Sequence, residues 1–464
     1  MDYQKLNQQL KEGLRIDKSF DIVAREFYIA EHRATLFFID GFVKDEIMEK
    51  IMEFLMKLKK DNIAQFQDFQ ASAIPYVEVE MIFDKETAIT QVLSGSVAFI
   101  YEKLEGIVLI DARTYPTRGM NEPDDDRVLR GSRDGFVETL VFNTALIRRR
   151  IRDPQLTMHY MQIGKRSKTD IVIAYMEDKA DQKTLQILFS KLKSININSL
   201  TLSQESLAEC LMPRHWLNPF PKVRYTERPD NASANILEGK IVIIVDNSPS
   251  IILLPTSFFD FIQDTNDYYF PPFVGSYLRL VRGIVVLLTL FMTPLWFLMI
   301  KNPDLFPSWM HFLLIEEMND VPIFIQLLIV EFMIDAIKLA SLNTPNALSG
   351  SFSVVGALIL GEFAVKAHWF VPEVLLYMSF VSIANFAQPS YEMGYAFKAF
   401  RILFLISILC FDWIGFVIAI TFMIIVLLNT KTITGKSYMY PLLPFNGRHL
   451  LQLILREPIK KDNN

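Results

Sequence analysis

The chain has 464 residues, 51% of them hydrophobic, and a formal net charge of −5. Residues 283–440 contain 17 charged positions among 158, whereas the other 306 positions contain 82. This division excludes an ordinary cytosolic enzyme and a disordered scaffold, and the acidic balance gives no case for nucleic acid as a partner. The charged part predicts a soluble region and the apolar part a membrane region, so the expected fold class is an α+β membrane protein.

Residues 1–112 are predicted to form a first cytoplasmic α/β subdomain. The apolar run 35–39 predicts a buried strand, and apolar residues at helical spacing over 47–58 predict the helix that follows. Further strands are predicted at 76–82, 97–100 and 107–110. Strands mixed with helices indicate a layered fold of sheet and helix.

Residues 113–134 are rich in proline, glycine and charged residues, which predicts a linker. A second cytoplasmic α/β subdomain is predicted over 135–270. It begins with a helical pattern at 136–152. Its other expected elements are a strand at 171–175, a helix at 181–193, and strands at 241–245 and 251–254.

No catalytic, cofactor-binding or metal site is expected. The Gly-Lys pairs in 164–167 and 435–437 lack the leading glycine of a phosphate-binding loop, and the six histidines have no metal-ligand spacing. The two cysteines, Cys210 and Cys410, provide no disulfide framework. The chain is therefore predicted not to be an enzyme.

A basic run ends the predicted helix 136–152. It contains Arg148, Arg149, Arg150 and Arg152. Cations are favourable at a helix C-terminus, so the run can be explained as a helix end alone. The alternative is contact with anionic lipid or a neighbouring subunit, because four arginines exceed what capping requires.

Residues 271–440 are predicted to form a membrane domain with about six helical spans. Its apolar runs are 283–300, 323–341, 350–367, 371–388, 394–410 and 413–429. The last two are expected to form a hairpin that turns at Asp412, because an unbroken helix through 402–428 would be about 40 Å long. Six spans place the N-terminal region and the basic tail 441–464 on the cytoplasmic side, as basic ends prefer.

Charged residues in the second apolar run form a candidate site. Glu331, Asp335 and Lys338 lie at i, i+4 and i+7, so they share one helix face. Ionisable groups in hydrocarbon are costly unless they face a bundle interior or water, so the stripe indicates an ion path. Glu362, in the third run, is a further candidate for this path. An interfacial amphipathic helix, or an internal ion pair that joins helices, would explain the same pattern.

Small residues recur at steps of four in and just before the third apolar run. They are Ser349, Ser353, Ala357 and Gly361. Small side chains on one face allow close helix packing, so these residues are candidates for a helix contact. Ordinary packing within the bundle and the wall of an oligomeric pore both require such a face.

Short motifs occur in order along most of the chain. They lie at 131–138, 146–154, 226–230, 237–240, 245–249, 260–263, 267–269, 275–280, 354–361 and 389–392. Over about residues 20–445 they resemble the A subunits of GerA-type spore germination receptors. Within that family, 111–119 and 122–124 resemble a paralogue that is encoded apart from a receptor set.

The resemblance implies a multi-pass protein of the spore inner membrane, with both termini on the spore-core side. It also implies a homo-oligomeric, pentamer-like channel that releases monovalent cations early in germination. The expected partners are membrane lipid and, for the paralogue, another small membrane protein of the germination machinery. No cofactor is implied.

Three functions fit these observations. Acidic residues on a span would concentrate cations, which favours an oligomeric cation channel. A non-conducting membrane scaffold or receptor subunit that docks other germination proteins is the alternative. A dipicolinate transporter component would predict inverted repeats, and the apolar runs show no obvious inverted repeat.

Overall fold

The structure is a computed structural model. It describes residues 2–43, 45–57, 78–113, 131–212, 216–305, 307–315, 319–343 and 364–456. The chain divides into an α/β unit and a helical unit. The α/β unit comprises Met1–Pro213, Val223–Thr256 and Ile433–Gly435, and the helical unit comprises Arg214–Lys222, Ser257–Thr432 and Lys436–Asn464.

The first half of the α/β unit contains a five-stranded antiparallel sheet. Its strands are β1 (Ile22–Ile29), β2 (His32–Ile39), β3 (Val79–Ile82), β4 (Val97–Tyr101) and β5 (Ile107–Ile110), and its helices are α1 (Tyr3–Leu14), α2 (Asp45–Met56) and α3 (Lys85–Leu93). The strand order is β1-β2-β4-β5-β3, so β1 and β3 are the edges.

A second five-stranded antiparallel sheet follows. Its strands are β6 (Leu156–Ile163), β7 (Thr169–Met176), β8 (Arg224–Thr226), β9 (Ile241–Val245) and β10 (Ile251–Leu254), and its helices are α4 (Leu140–Arg150), α5 (Gln182–Ser194), α6 (Ser203–Leu211) and α7 (Pro229–Leu237). The order is β6-β7-β9-β10-β8. Both sheets lack parallel pairs among the described strands, so the two predicted subdomains are antiparallel α+β layers.

The two sheets are structural repeats of one another. When the strands are numbered from the start of each half, both orders become 1-2-4-5-3. The segment α3-β4-β5 recurs as α7-β9-β10 with identical element and loop lengths, 144 residues further along the chain. Gly95 and Gly239 follow the equivalent helices with φ of 101° and 94°, a conformation that glycine adopts without strain.

Each sheet has helices on both faces, which explains its apolar central strands. Helix α2 covers one face of the first sheet with Ile51 and Leu55, and α1 and α3 cover the other. In the second sheet, α5 and α6 cover one face, and α4 and α7 cover the opposite face. The repeat therefore includes the positions of the helices as well as the strands.

The predicted strands at 35–39, 97–100, 107–110, 171–175, 241–245 and 251–254 are confirmed. The predicted helix 136–152 is too long, because α4 begins at Leu140. Asn143 prevents an earlier start, since its side chain accepts from the Val137 N–H at 2.8 Å and donates to the Val137 carbonyl at 2.6 Å. Residues 114–130 of the predicted linker lie outside the described residues.

The helical unit contains α8 (Pro272–Lys301), α9 (Ile323–Asn343), α10 (Ala364–Lys366), α11 (Pro372–Phe386), α12 (Tyr391–Asn429) and α13 (Gly447–Ile454). Among the described residues of this unit, four short 3₁₀ helices span Phe258–Phe261, Thr265–Tyr269, Pro303–Leu305 and Ser308–Leu313. The first two belong to the helical unit, although the sequence assigned 257–270 to the second subdomain. The reason is that Asp267 forms ion pairs with Arg279 and Arg282 of α8.

The predicted reversal at Asp412 is confirmed. Asp412 has φ of 50° and ψ of −133°, which breaks α12 into two arms. The rings of Phe400 and Phe422 are 6.4 Å apart, although 22 residues of straight helix would separate them by about 33 Å. The rings of Phe404 and Phe416 are 5.8 Å apart, so the two arms pack side by side from the turn outward.

In the described part of the chain, α8 and α12 are long and apolar enough to cross a membrane, judged by length and composition. Helix α11 is apolar but has only 15 residues, and α9 carries three charged side chains. The predicted third span falls largely within 344–363, outside the described residues. The number of spans and the orientation of the termini stay predictions.

Candidate functional site

The charged stripe of α9 faces two basic residues on the first arm of α12. Glu331 is buried, and its Oε1 accepts a hydrogen bond from an Arg401 guanidinium that is itself 5% exposed. Asp335 lies one turn further along α9, and its Oδ2 accepts from Lys398 Nζ. We call Glu331, Asp335, Lys398 and Arg401 the charged quartet.

The charged quartet joins three helices. Arg401 NH1 donates to the backbone carbonyl of Thr289 on α8 at 2.7 Å, while its NH2 holds Glu331 on α9. Lys398 Nζ also lies 3.6 Å from Glu331 Oε1 and 3.4 Å from the Glu331 carbonyl oxygen. Each base therefore contacts more than one acceptor, so α8, α9 and α12 are tied together by charge.

Lys338 completes the predicted stripe on α9 but has different surroundings. Its Nζ lies 4.7 Å from the ring centroid of Phe386 and 5.8 Å from that of Tyr395. A cation above an aromatic face is attracted by the ring quadrupole. With Lys338 included, three bases accompany two acids, so the cluster has a formal excess of one positive charge.

One oxygen of the charged quartet is left without a partner. Asp335 Oδ1 is buried and has no hydrogen bond among the residues that the structure describes. The Asp335 side chain is nonetheless 31% exposed, against 9% for Glu331. Asp335 is therefore the carboxylate of the quartet that can accept a further ligand with the least rearrangement.

The sequence predicted the acids of this site but not their partners. Lys398 and Arg401 are not among the residues that the sequence predicts for the site. The signal that could have identified them is their spacing of three in an apolar helix, which places both on one face, as in the acidic stripe. Their pairing with α9 depends on which helices become neighbours, and periodicity does not contain that information.

The remaining membrane candidates lie in 344–363, outside the described residues. They are Ser349, Ser353, Ala357, Gly361 and Glu362. The assignment of Glu362 to an ion path and of the small residues to helix packing stays a prediction.

The basic run at the end of α4 divides into buried and exposed members. Arg148 is fully buried, and its Nε and NH2 donate to both oxygens of Asp21 at 2.9 and 3.1 Å. Ser19 and the carbonyls of Asp153 and Leu156 accept its other hydrogen bonds. Arg148 therefore connects the two halves of the α/β unit, and in this arrangement its charged group is not presented to lipid.

The other arginines of the run lie nearer the surface. Arg150 donates to both oxygens of Asp134 at 2.7 Å. Burial acts to raise the pKa of Asp134, but hydrogen bonds from Arg150 and Ser132 lower it below its usual value. Arg149 and Arg152 are exposed. Contact of this run with lipid or with another subunit stays a prediction, and Arg149 and Arg152 are the members placed for it.

No three His, Cys, Asp or Glu side chains come together to form a possible metal site within the described ranges. Both cysteines, Cys210 and Cys410, are exposed and unpaired. Among the described residues, the candidate site is therefore a set of buried ion pairs.

Comparison with known proteins places these features in a family. The family model described as Bacillus/Clostridium GerA spore germination protein matches residues 6–464. Stage V sporulation protein AF of Bacillus subtilis (strain 168) is 37% identical over 454 residues, which cover 97% of this chain and 92% of that protein. Spore germination protein B1 of the same organism is 28% identical, over 98% of this chain and 95% of that protein.

A solved structure also matches. It is the N-terminal domain of the A subunit of the Bacillus megaterium spore germinant receptor GerK3, at 26% identity and a TM-score of 0.42. The match covers 54% of this chain and 94% of that chain.

The family match spans nearly the whole chain, and one relative exceeds 30% identity over most of both proteins. The predicted resemblance to this family is confirmed, and the paralogue that the sequence indicates corresponds to stage V sporulation protein AF. These two relatives bear the names of a sporulation protein and a germination protein. The chain belongs to the GerA family of spore germination proteins.

Proposed function

We propose that this protein is an A-type subunit of the germination machinery in the spore inner membrane, and that its helical unit conducts monovalent cations as a homo-oligomer. Membership of the GerA family supports the role in germination. The two long apolar helices support a membrane location. The charged quartet is the observation that supports conduction.

The argument from the charged quartet is energetic. Moving ionisable groups into an apolar helical environment costs several kcal/mol each unless they are paired or hydrated, and such groups often mark ion pathways. Four of them meet here on α9 and α12, and one carboxylate oxygen remains unpartnered. Hydrophobic side chains would stabilise the helix contacts without this cost, so we infer that the charges serve a function.

The pairing suggests how conduction would be controlled. Both acids are held by bases on α12, so a cation can use them only after those bases move away. A lysine ammonium and a potassium ion are both monovalent cations that a carboxylate accepts. We infer that separation of α9 from the first arm of α12 exchanges Lys398 for a permeating cation at Asp335, while the more buried Glu331–Arg401 pair maintains the helix contact.

Potassium flux from liposomes that contain the purified full chain tests this proposal, with and without the candidate small membrane partner. Glu331→Gln combined with Asp335→Asn removes both acids and should abolish most of the flux. The matched control neutralises all four members of the charged quartet with Gln or Asn, which removes the unpaired bases that could impair folding. We expect this control to assemble like the wild type and also to lack flux. Wild-type flux from an assembled control would refute the ion path.

The scaffold alternative is favoured by the same ion pairs. If the charged quartet only joins helices, it acts as the internal pair considered above, and the protein would dock other germination proteins without conducting. Absence of flux from the wild type with its partner, together with retained binding of that partner, would support this alternative. Dipicolinate release in place of potassium release would instead support the transporter.

A further inference from the structure

The C-terminal helix α13 is attached to the first two turns of α8 by a built contact. Arg279 NH1 donates to the carbonyls of Gln452 and Leu453 at 2.7 and 3.4 Å. The backbone N–H of Arg456 donates to Ser276 Oγ at 3.0 Å. A Cβ on Gly275 would lie 2.5 Å from the Asp267 carbonyl oxygen, which requires glycine at this position, and 2.9 Å from Arg456 Cδ, which shows how closely Arg456 approaches α8.

A buried carboxylate fixes Arg279 in this role. Asp267 is fully buried, and its Oδ2 lies 3.4 Å from Arg279 Nε. The neighbouring Arg282 donates to both Asp267 oxygens, at 2.8 and 2.9 Å. The Arg279 guanidinium is therefore held between Asp267 and the C-terminal carbonyls of α13, where a cation also favours the helix dipole.

The outward side of α13 is apolar. Leu450, Leu451 and Ile454 share one side of the helix by their spacing, and Arg448 lies on the other side with His449 and Gln452. Leu451 is 59% exposed and Ile454 is 48% exposed. Adjacent exposed apolar side chains on a short helix require an explanation, because water does not favour such a patch.

The position of α13 beside the first turns of α8 indicates what covers the exposed apolar side chains of α13. Exposed apolar residues follow one face of α8 at helical spacing from Phe273 to Leu287: Phe273, Tyr277, Leu280, Ile284 and Leu287. Such a stripe on a membrane helix faces lipid. Aromatic side chains concentrate where lipid meets water, and the stripe begins with Phe273 and Tyr277. Gly275, Ser276 and Arg279, which contact α13 and the residues that follow it, lie on the same turns of α8 as Phe273 and Tyr277.

We propose that α13 lies in the membrane interface and binds the surface of an anionic lipid bilayer. Leu451 and Ile454 would enter the acyl boundary, while Arg448 would face the anionic headgroups. Eight helical residues are about 12 Å long, which is short for an independent anchor. The contact with α8 therefore orients the helix. This inference concerns lipid binding and does not depend on ion conduction.

Site-directed labelling of the full chain tests this inference. In a Cys210→Ser, Cys410→Ser background, Leu451→Cys and the matched control Arg448→Cys each receive an environment-sensitive fluorophore. The proteins are reconstituted in phosphatidylcholine liposomes with and without phosphatidylglycerol. We expect the label at 451 to be quenched by spin-labelled lipid and not by iodide, and the label at 448 to show the opposite. Omission of phosphatidylglycerol should reduce lipid quenching at 451.

Two results would overturn the proposal. Equal iodide quenching at 451 and 448 would mean that the helix does not enter the interface. Protection at 451 from both quenchers would mean that protein, such as a second copy of the chain, covers the patch. Arg279→Gln provides a second variant, because it should release α13 and make the label at 451 accessible to iodide. Potassium flux measured on the same liposomes reports separately on conduction.

Discussion

Each unit of the protein buries an arginine against a carboxylate, but the two clusters differ in how completely their groups are satisfied. In the α/β unit, Arg148 and Asp21 balance each other's charge, and all three guanidinium nitrogens donate hydrogen bonds. In the helical unit, the charged quartet lies beside Lys338, and Asp335 Oδ1 has no partner among the described residues.

This difference separates a structural contact from one that can change partners. A saturated, neutral pair gains nothing from a new ligand, so the Arg148 cluster is suited to hold two repeats in one arrangement. An unsaturated cluster with an excess of bases has an oxygen that can accept a cation or water once a base moves. Burial alone does not distinguish the two cases, whereas the count of hydrogen bonds does.

The largest stability effect is expected at Arg148. Arg148→Met leaves the Asp21 carboxylate buried and uncompensated, and removal of one partner of a buried ion pair costs about 3–5 kcal/mol. Urea denaturation of the full chain in detergent, followed by a probe in the α/β unit, would measure the loss. Arg152→Met, at an exposed position of the same run, should change stability by less than about 0.5 kcal/mol.

A double variant sharpens this prediction. Replacement of both partners, Arg148→Met with Asp21→Leu, should recover most of the loss, because well-packed apolar side chains often replace a buried ion pair without cost. If the double variant is as unstable as Arg148→Met, the pair contributes more than its own charge compensation. The interpretation of a neutral structural contact would then fail.

Substitutions in the charged quartet should destabilise the protein less than Arg148→Met does, and the two acids should differ in their effect. Glu331→Gln weakens the contact to a buried Arg401 and should cost about 1–3 kcal/mol, while Asp335→Asn, at the more exposed carboxylate, should cost about 0–1 kcal/mol. Thermal unfolding of each variant in the same detergent would show which of the two loses more stability. Equal losses would show that the two acids are equivalent, which would remove the basis for assigning Asp335 alone to ligand exchange.

The sequence predicted the centre of each sheet better than its edges. Central strands such as β4 and β9 are apolar throughout because helices cover both faces, so they form recognisable runs. The edge strands β1, β6 and β8 were missed, since exposed polar residues interrupt their patterns. The repeat was also missed, because equal segment lengths and strand order carry it rather than a shared motif.

The sequence likewise predicted only part of the candidate site. The stripe of Glu331 and Asp335 followed from helical spacing, and the break at Asp412 followed from the length of a membrane span. The burial of Arg148 did not follow, because Asp21 is 127 residues away in the chain and enters the cluster only after the two repeats pack. Long-range partners of this kind determine whether a charged run faces solvent or the interior.

The smallest effect on stability is expected for the partly exposed ion pair between Asp134 and Arg150. The direction in which this effect changes with pH can also be tested. Hydrogen bonds from Arg150 and Ser132 lower the pKa of Asp134 in the folded protein despite its burial. Its stabilisation is therefore complete above the pKa of an unfolded aspartate, about 3.9, and is lost as the pH falls through the lower folded pKa. Asp134→Asn should reduce stability by up to about 1 kcal/mol at pH 7, because the pair is partly solvated.

The difference in thermal midpoint between Asp134→Asn and the wild type should then shrink as the pH falls below about 4, because the unfolded carboxylate gains a proton there and the folded one gains it at still lower pH. Arg150→Gln should show the same dependence, since it removes the other partner. A difference that stays constant with pH would mean that Asp134 acts through packing or its neutral hydrogen bonds. The pair would then resemble neither the neutral, saturated Arg148 cluster nor the partly unsatisfied carboxylate of the charged quartet.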